Sequence, residues 1–184
     1  SSMAELQVCS VLVTGANRGI GLGFVRNLLA MPDPPKWVFA TCRDPEGQRA
    51  QDLQNLASKH PNLVIVQLDV TDPASIQAAA ARVEEKLGGS GLNLLINNAG
   101  IGKLNTLDTE TLEDMIQIYT TNTVGPLLVG QAFLPLLKKA AQWSPGSALS
   151  CSKAAIINIS SSAGSIASLF GWELMQVVSY RCSK

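Results

Sequence analysis

The sequence predicts a doubly wound α/β fold, a parallel sheet of about five strands with helices on both faces. Three observations carry this expectation. Short, continuous apolar runs recur along the chain, and runs of that kind suit strands buried on both faces. Each run leads into a segment with apolar residues at helical spacing, the order that builds parallel units joined by right-handed crossovers. The first such junction is a turn rich in glycine, Thr14 to Gly21.

Taken in order, Val8 to Val13 reads as the first strand, and residues 20 to 31 as a helix closed by Pro32. Trp37 to Cys42 reads as a second strand, followed by a polar amphipathic helix over Glu46 to Lys59. Leu63 to Leu68 is a third strand. Asp72 and Pro73 then open an Ala-rich helix to Leu87, because Asp is a good N-cap and Pro suits the first helical turn. Gly88, Gly89 and Gly91 end it. Leu92 to Ile96 is a fourth strand. A long helical stretch runs from about Thr109 to Lys139, interrupted at Gly125-Pro126, and Ala155 to Ile159 is a fifth strand. Residues 140 to 153 are small and polar and read as a surface loop.

Composition narrows the function. The 184 residues fit a single domain. With 46% apolar and 15% charged residues the chain supports a true core, unlike a disordered sequence. Lys plus Arg and Asp plus Glu both number 14, so the basic footprint of a nucleic-acid or membrane-surface binder is absent. No apolar run approaches the ~20 residues of a membrane span, and the start lacks a secretory layout. The expected location is cytoplasmic. Ser1-Ser2-Met3 reads as vector-derived residues ahead of a native start. A single histidine, His60, and four scattered cysteines argue against a metal site and against nucleophilic mechanisms that need histidine.

The glycine-rich turn points to a phosphate. Glycines let the backbone approach closely, and the helix that follows offers free N–H groups and a favourable dipole. Gly15, Asn17, Arg18, Gly19, Ile20 and Gly21 are therefore candidates for holding a dinucleotide. The end of the second strand selects between dinucleotides. An acidic residue there would bind a ribose 2′-hydroxyl, but the sequence reads Thr41-Cys42-Arg43-Asp44. A guanidinium suits a 2′-phosphate, so Arg43, with Arg18 as a second cation, implies NADP(H). Asp44, one place on, counts against this.

Six motifs in order then give the chain a resemblance over nearly its whole length to the short-chain dehydrogenase/reductase family. They are the Thr14 to Gly21 turn, Leu68-Asp69-Val70, Asn97-Asn98-Ala99-Gly100, Asn122 within Thr121-Asn122-Thr123, Asn158-Ile159-Ser160-Ser161, and Tyr180-Arg181-Cys182-Ser183-Lys184. Within the family the start, the Thr-Cys-Arg-Asp segment and the ending are similar to the sniffer / C-factor type of carbonyl reductase. The resemblance implies a Rossmann-like fold and an adenine pocket at Asp69 and Val70. It also implies cofactor contacts at Asn98, Ala99 and Gly100, and catalysis by Asn122, Ser161, Tyr180 and Lys184. The implied reaction is hydride transfer between nicotinamide and a small aldehyde or ketone.

Elementary chemistry agrees. A free tyrosine has a pKa of about 10. Tyr180 and Lys184 share a helix face. An ammonium about 4–5 Å from a phenolate, at an effective dielectric near 20, favours the phenolate by about 3–4 kcal/mol. That lowers the phenol by roughly 2–3 pKa units, to near neutrality. Tyr180 is then the acid/base and Lys184 tunes it. The resemblance further implies that Lys184 binds ribose, that Ser161, flanked by Ser160 and Ser162, hydrogen-bonds the substrate oxygen, and that Asn122 holds a water in a proton relay. Tyr119, with no lysine four residues on, reads as packing. Leu169, Phe170, Trp172 and Leu174, in a longer than usual stretch before Tyr180, suit either an apolar substrate mouth or a flap over the core.

The family pattern continues beyond its Y-x-x-x-K motif, whereas this sequence stops at Lys184. The expectation is a single domain, 1–184, incomplete at its C-terminus, with a frayed last turn, an open sheet edge, weak NADP(H) binding and poor turnover. A homo-oligomer is expected only of a full-length form. The alternative is a catalytically inactive NADP-binding or interaction fragment.

Overall fold

The computed structural model describes residues 8–143, 149–169 and 171–184. Ser1 to Met3, part of the 140–153 loop and Phe170 lie outside the described residues. The strands are β1 (Ser10–Val13), β2 (Trp37–Cys42), β3 (Leu63–Gln67), β4 (Leu94–Asn97) and β5 (Ala155–Asn158). They form one parallel sheet in the order β3-β2-β1-β4-β5. The chain therefore reverses direction across the sheet between β1 and β4, where open α/β sheets present a crevice at the strands' carboxyl ends.

Alternate residues of the inner strands feed two cores. Val11, Val13, Val38, Ala40, Leu94 and Ile96 pack against α1 (Gly19–Leu29) and α2 (Gln51–Ala57). Leu12, Phe39 and Leu95 face the other way, against α3 (Pro73–Leu87) and α5 (Gly125–Trp143). This is why the strands read as unbroken apolar runs. Asp72 caps α3 by accepting from the Ala74 N–H at 2.9 Å, and Gly88 closes it at φ +56°.

The predicted long helix divides differently from its expected form. It starts at Leu112, where the Thr111 hydroxyl accepts from the Asp114 N–H, giving α4 (Leu112–Tyr119). A wide π turn over Thr120–Val124 follows, and α5 begins at Gly125. The interruption precedes Gly125-Pro126, and Gly125 itself lies against the segment after β3: a Cβ there would lie 3.0 Å from the Val70 carbonyl oxygen. Single π turns of this kind are enriched at functional sites. The second helix is shorter than expected, entered through a 3-10 turn at Gln48–Ala50. Tyr119 is 51% exposed and does not pack in the core. β5 is an edge strand with Ile156 and Ile157 exposed.

Candidate active site

The glycine turn is held tightly from behind and open in front. Gly15 has φ +62°, and a Cβ there would meet the Ala99 Cα at 2.9 Å. At Gly21 a Cβ would lie 2.4 Å from the Gly15 carbonyl oxygen and 2.5 Å from Asn98 Nδ2. Only glycine fits either position. Gly19, the first residue of α1, has φ +54°, and the place of its missing Cβ is clear of other atoms within 4 Å. No side chain caps α1, so its N-terminal N–H groups remain available for an anion.

Three elements brace this turn. Thr14 Oγ1 accepts from the N–H groups of Asn98 and Ala99, both at 3.0 Å. Asn98 Nδ2 donates to the carbonyls of Thr14 and Gly15 at 3.0 and 3.2 Å. The Ala16 N–H donates to the Thr41 carbonyl at 2.9 Å, and Asn17 Nδ2 reaches the Arg49 carbonyl at 3.3 Å. The side chains of Asn98 and Asn17, expected at a cofactor, thus brace the turn itself. Arg18, Ile20 and Arg43 are exposed at the rim. Asp44 turns its carboxylate onto Gly47, where a Cβ would come within 2.2 Å of it, and forms no ion pair with Arg43 among the described residues. Asp69 Oδ1 accepts from the Thr71 N–H and hydroxyl, forming a tight turn after β3, and Val70 is buried.

The strand ends connect the cradle to the tyrosine. Gly15 abuts Ala99; next to it, a Cβ at Gly100 would lie 3.2 Å from Asn122 Oδ1 and 3.5 Å from Lys184 Nζ. At Gly102 a Cβ would touch the Tyr180 ring at 3.2 Å. Tyr180 and Lys184 stand at either end of the last turn, α6 (Val178–Ser183) and the residue after it, with Lys184 Nζ 5.7 Å from the Tyr180 ring centre. Lys184 Nζ also donates to the Ile159 carbonyl at 2.8 Å. Partial burial pulls its pKa below the ordinary lysine value.

Asn122 is 8% exposed and both ends of its amide are occupied. Oδ1 accepts from the Ile101 N–H at 2.9 Å, while Nδ2 donates to the Ile101 carbonyl at 2.8 Å and the Ser183 hydroxyl at 2.9 Å. Its side chain joins the loop after β4 to α6. Thr123 Oγ1 donates to the Ser183 carbonyl at 3.2 Å. These ties hold α6 against the 120–124 turn. Ser161 Oγ accepts from the Ala163 N–H at 3.1 Å, and its proton has no acceptor among the described residues. Ser160 instead turns toward a main-chain oxygen of Lys184, at 3.3 Å.

A cavity of about 510 Å³ lies between α5 and β5, behind Lys184. Neither Tyr180 nor Ser161 lines it, so it is not where a substrate would meet the tyrosine. Leu169 and Leu174 are exposed, while the Arg181 guanidinium lies 5.6 Å from the ring centre of the partly buried Trp172. The sequence reading missed Glu110. Its Oε2 accepts from the Ser179 N–H at 2.9 Å, a contact across 69 positions that no local pattern signals.

These features match known proteins. The family model described as short chain dehydrogenase matches residues 10–184. A short chain dehydrogenase of Penicillium aethiopicum, gsfK, is 34% identical over 95% of this chain and 64% of its own length. The human 17-beta-hydroxysteroid dehydrogenase type 1 is 35% identical over 70% of this chain and 39% of its own. The chain thus spans less than two thirds of these curated relatives. Among solved structures, an NADPH-bound carbonyl reductase from chicken fatty liver superposes with a TM-score of 0.97 at 74% identity, covering 100% of this chain and 68% of that one. The carbonyl reductase Sniffer of Drosophila melanogaster gives 0.89 at 38% identity, over 97% and 70%. With the glycine cradle, the strand order and the Tyr180/Lys184 turn in place, the match along residues 10–184 means that the chain belongs to the short-chain dehydrogenase family.

Proposed function

We propose that the protein reduces small aldehydes or ketones with NADPH. One observation carries this reading. The cradle before α1 and the Tyr180/Lys184 pair lie on a continuous line of contacts through Ala99, Gly100 and Gly102, at the end of the sheet where its order reverses. The cradle fits a dinucleotide: two glycines that tolerate no side chain, a third with open space before it, and an uncapped helix N-terminus. The turn Gly15 to Gly21 would hold the pyrophosphate, Arg18 and Arg43 the 2′-phosphate, and Asp69 and Val70 the adenine side. Bound there, the reduced cofactor supplies a hydride. The 74%-identical carbonyl reductase, solved with NADPH, supports both cofactor and substrate class.

The chain's own groups supply the rest. Tyr180 gives its phenolic proton to the carbonyl oxygen as negative charge develops there, so one hydride and one proton together make the alcohol. Lys184 stabilises the phenolate left behind. Ser161 hydrogen-bonds the same oxygen through its free hydroxyl hydrogen and keeps that proton. Asn122 keeps α6 and the 101–103 loop in register, so that phenol and ammonium face one space. The test is to follow NADPH consumption with a reactive aromatic aldehyde, in the wild type and in Tyr180→Phe. Turnover in the wild type, reduced at least 100-fold in Tyr180→Phe with NADPH affinity intact, supports the reading. Equal rates in both, or no NADPH binding, overturn it.

A further inference from the structure

The residue just before the catalytic turn is strained. Val177 has φ +42° and ψ 53°, the left-handed region, where a β-branched residue is a genuine outlier. It is also 6% exposed, so it cannot relax into solvent. Such a conformation persists only where its surroundings hold it.

The surroundings are specific. On the chain's far side of the strain, the Ser179 N–H donates to Glu110 Oε2 at 2.9 Å. On its near side, the Leu107 N–H donates to Gln176 Oε1 at 2.7 Å, and Arg181 Nε donates to the Gln176 carbonyl at 2.7 Å. The same 101–110 loop therefore grips both flanks of Val177, and through Gly102 it touches the Tyr180 ring as well. Glu110 is itself braced. Asn105 Nδ2 donates to Glu110 Oε1 at 2.9 Å and to Asp114 Oδ2 at 2.8 Å, and Asp114 pairs with Lys103.

We infer that Glu110 is a positioning residue: its carboxylate holds the first turn of α6 in the register that presents Tyr180. This rests on the catalytic reading of Tyr180 above. Desolvation alone would raise the Glu110 carboxyl, but hydrogen bonds from Asn105, Ser179 and Thr111 outweigh it and hold it below the ordinary glutamate value, so it is an anion at neutral pH. Glu110 makes no contact with the glycine turn, so cofactor affinity should not depend on it.

The test compares Glu110→Ala, Glu110→Gln and Asn105→Ala in three measurements: kcat with NADPH and an aromatic aldehyde, NADPH affinity, and amide hydrogen exchange of residues 178–183 in the free protein. Glu110→Ala should lower kcat at least tenfold, leave NADPH affinity within twofold, and speed exchange in α6 at least tenfold. Glu110→Gln keeps one acceptor, enough for the Ser179 N–H but not also for Asn105 Nδ2, and should recover kcat to the level of Asn105→Ala. Asn105→Ala removes only the brace and should shift both readouts the same way by less, which keeps the test decisive if Glu110→Ala does not fold. Unchanged kcat and exchange in Glu110→Ala overturn the inference, as does a loss of NADPH affinity in step with kcat. If Tyr180→Phe turns over like the wild type, the catalytic reading fails by itself. The Glu110 hold on α6 then stands or falls on exchange alone.

Discussion

Gly21→Ala tests the cradle by geometry alone. The new methyl would sit 2.4 Å from the Gly15 carbonyl oxygen and 2.5 Å from Asn98 Nδ2, against an ordinary separation of about 3.5 Å. An overlap of roughly 1 Å cannot be absorbed by a flexible side-chain end. The Gly15 oxygen is backbone, and Asn98 Nδ2 is fixed by bonds to two carbonyls at 3.0 and 3.2 Å. The turn must open, at an overpacking cost of about 1–3 kcal/mol in stability. Opening it also moves the N–H donors before α1. Losing one charge-assisted hydrogen bond to a phosphate costs about 1.5–3 kcal/mol, or roughly 10- to 150-fold in Kd. The assay is titration of the protein with NADPH, followed by cofactor fluorescence, beside a melting curve. Gly19→Ala is the matched control. Its methyl meets no protein atom within 4 Å and bears only the cost of φ +54°, about 1–2 kcal/mol. It should melt near the wild type yet bind NADPH at least tenfold more weakly, because the space it fills is the ligand's. Wild-type affinity in Gly21→Ala would refute the reasoning.

Arg43→Ala should weaken NADPH binding about tenfold while leaving NADH binding within twofold, the difference expected of one exposed charge-assisted phosphate contact; equal losses for both would move the 2′-phosphate elsewhere. Lys184→Met removes a cation 5.7 Å from the Tyr180 ring centre. Without that cation beside the tyrosine, kcat for carbonyl reduction should fall at least tenfold; an unchanged kcat contradicts the pairing. Glu110 and Asp114 both sit below their ordinary carboxyl values, Glu110 for the reasons above and Asp114 chiefly through the Lys103 and Asn105 hydrogen bonds. Depressed acids stabilise the fold fully above their unfolded values, about 4, and lose that contribution as pH falls through the folded ones. Protection from exchange in the 101–114 loop, relative to the unfolded-chain rate at each pH, should therefore fall below about pH 4, and Glu110→Gln should blunt that loss.

Much of the architecture was legible because its causes are local. Strands such as Val11 to Val13 announce themselves by apolar runs that feed both cores, and Asp72-Pro73 with Gly88 marks both ends of α3. The glycine turn was readable since its conformation excludes side chains at fixed spacing. What escaped depends on distant contacts. A π turn adds one residue to a helical repeat, and apolar spacing does not register that, so the division at Thr120–Val124 stayed hidden, as did the approach of Val70 to Gly125. The motif asparagines Asn98 and Asn122 were identified as site residues, but their side chains are used on backbone groups of Thr14, Gly15 and Ile101. Sequence shows that an amide is present, not which partners it finds. Glu110 resembled any carboxylate near a helix start, and only folding brings it to Ser179.

The most direct measurement is a crystal structure of the protein soaked with NADPH. The account predicts the pyrophosphate against the N-terminal turn of α1 between Gly15 and Gly21, with the nicotinamide end toward Tyr180 and Lys184. A cradle closed by the protein's own side chains, or a cofactor seated in the cavity between α5 and β5 instead, would contradict it.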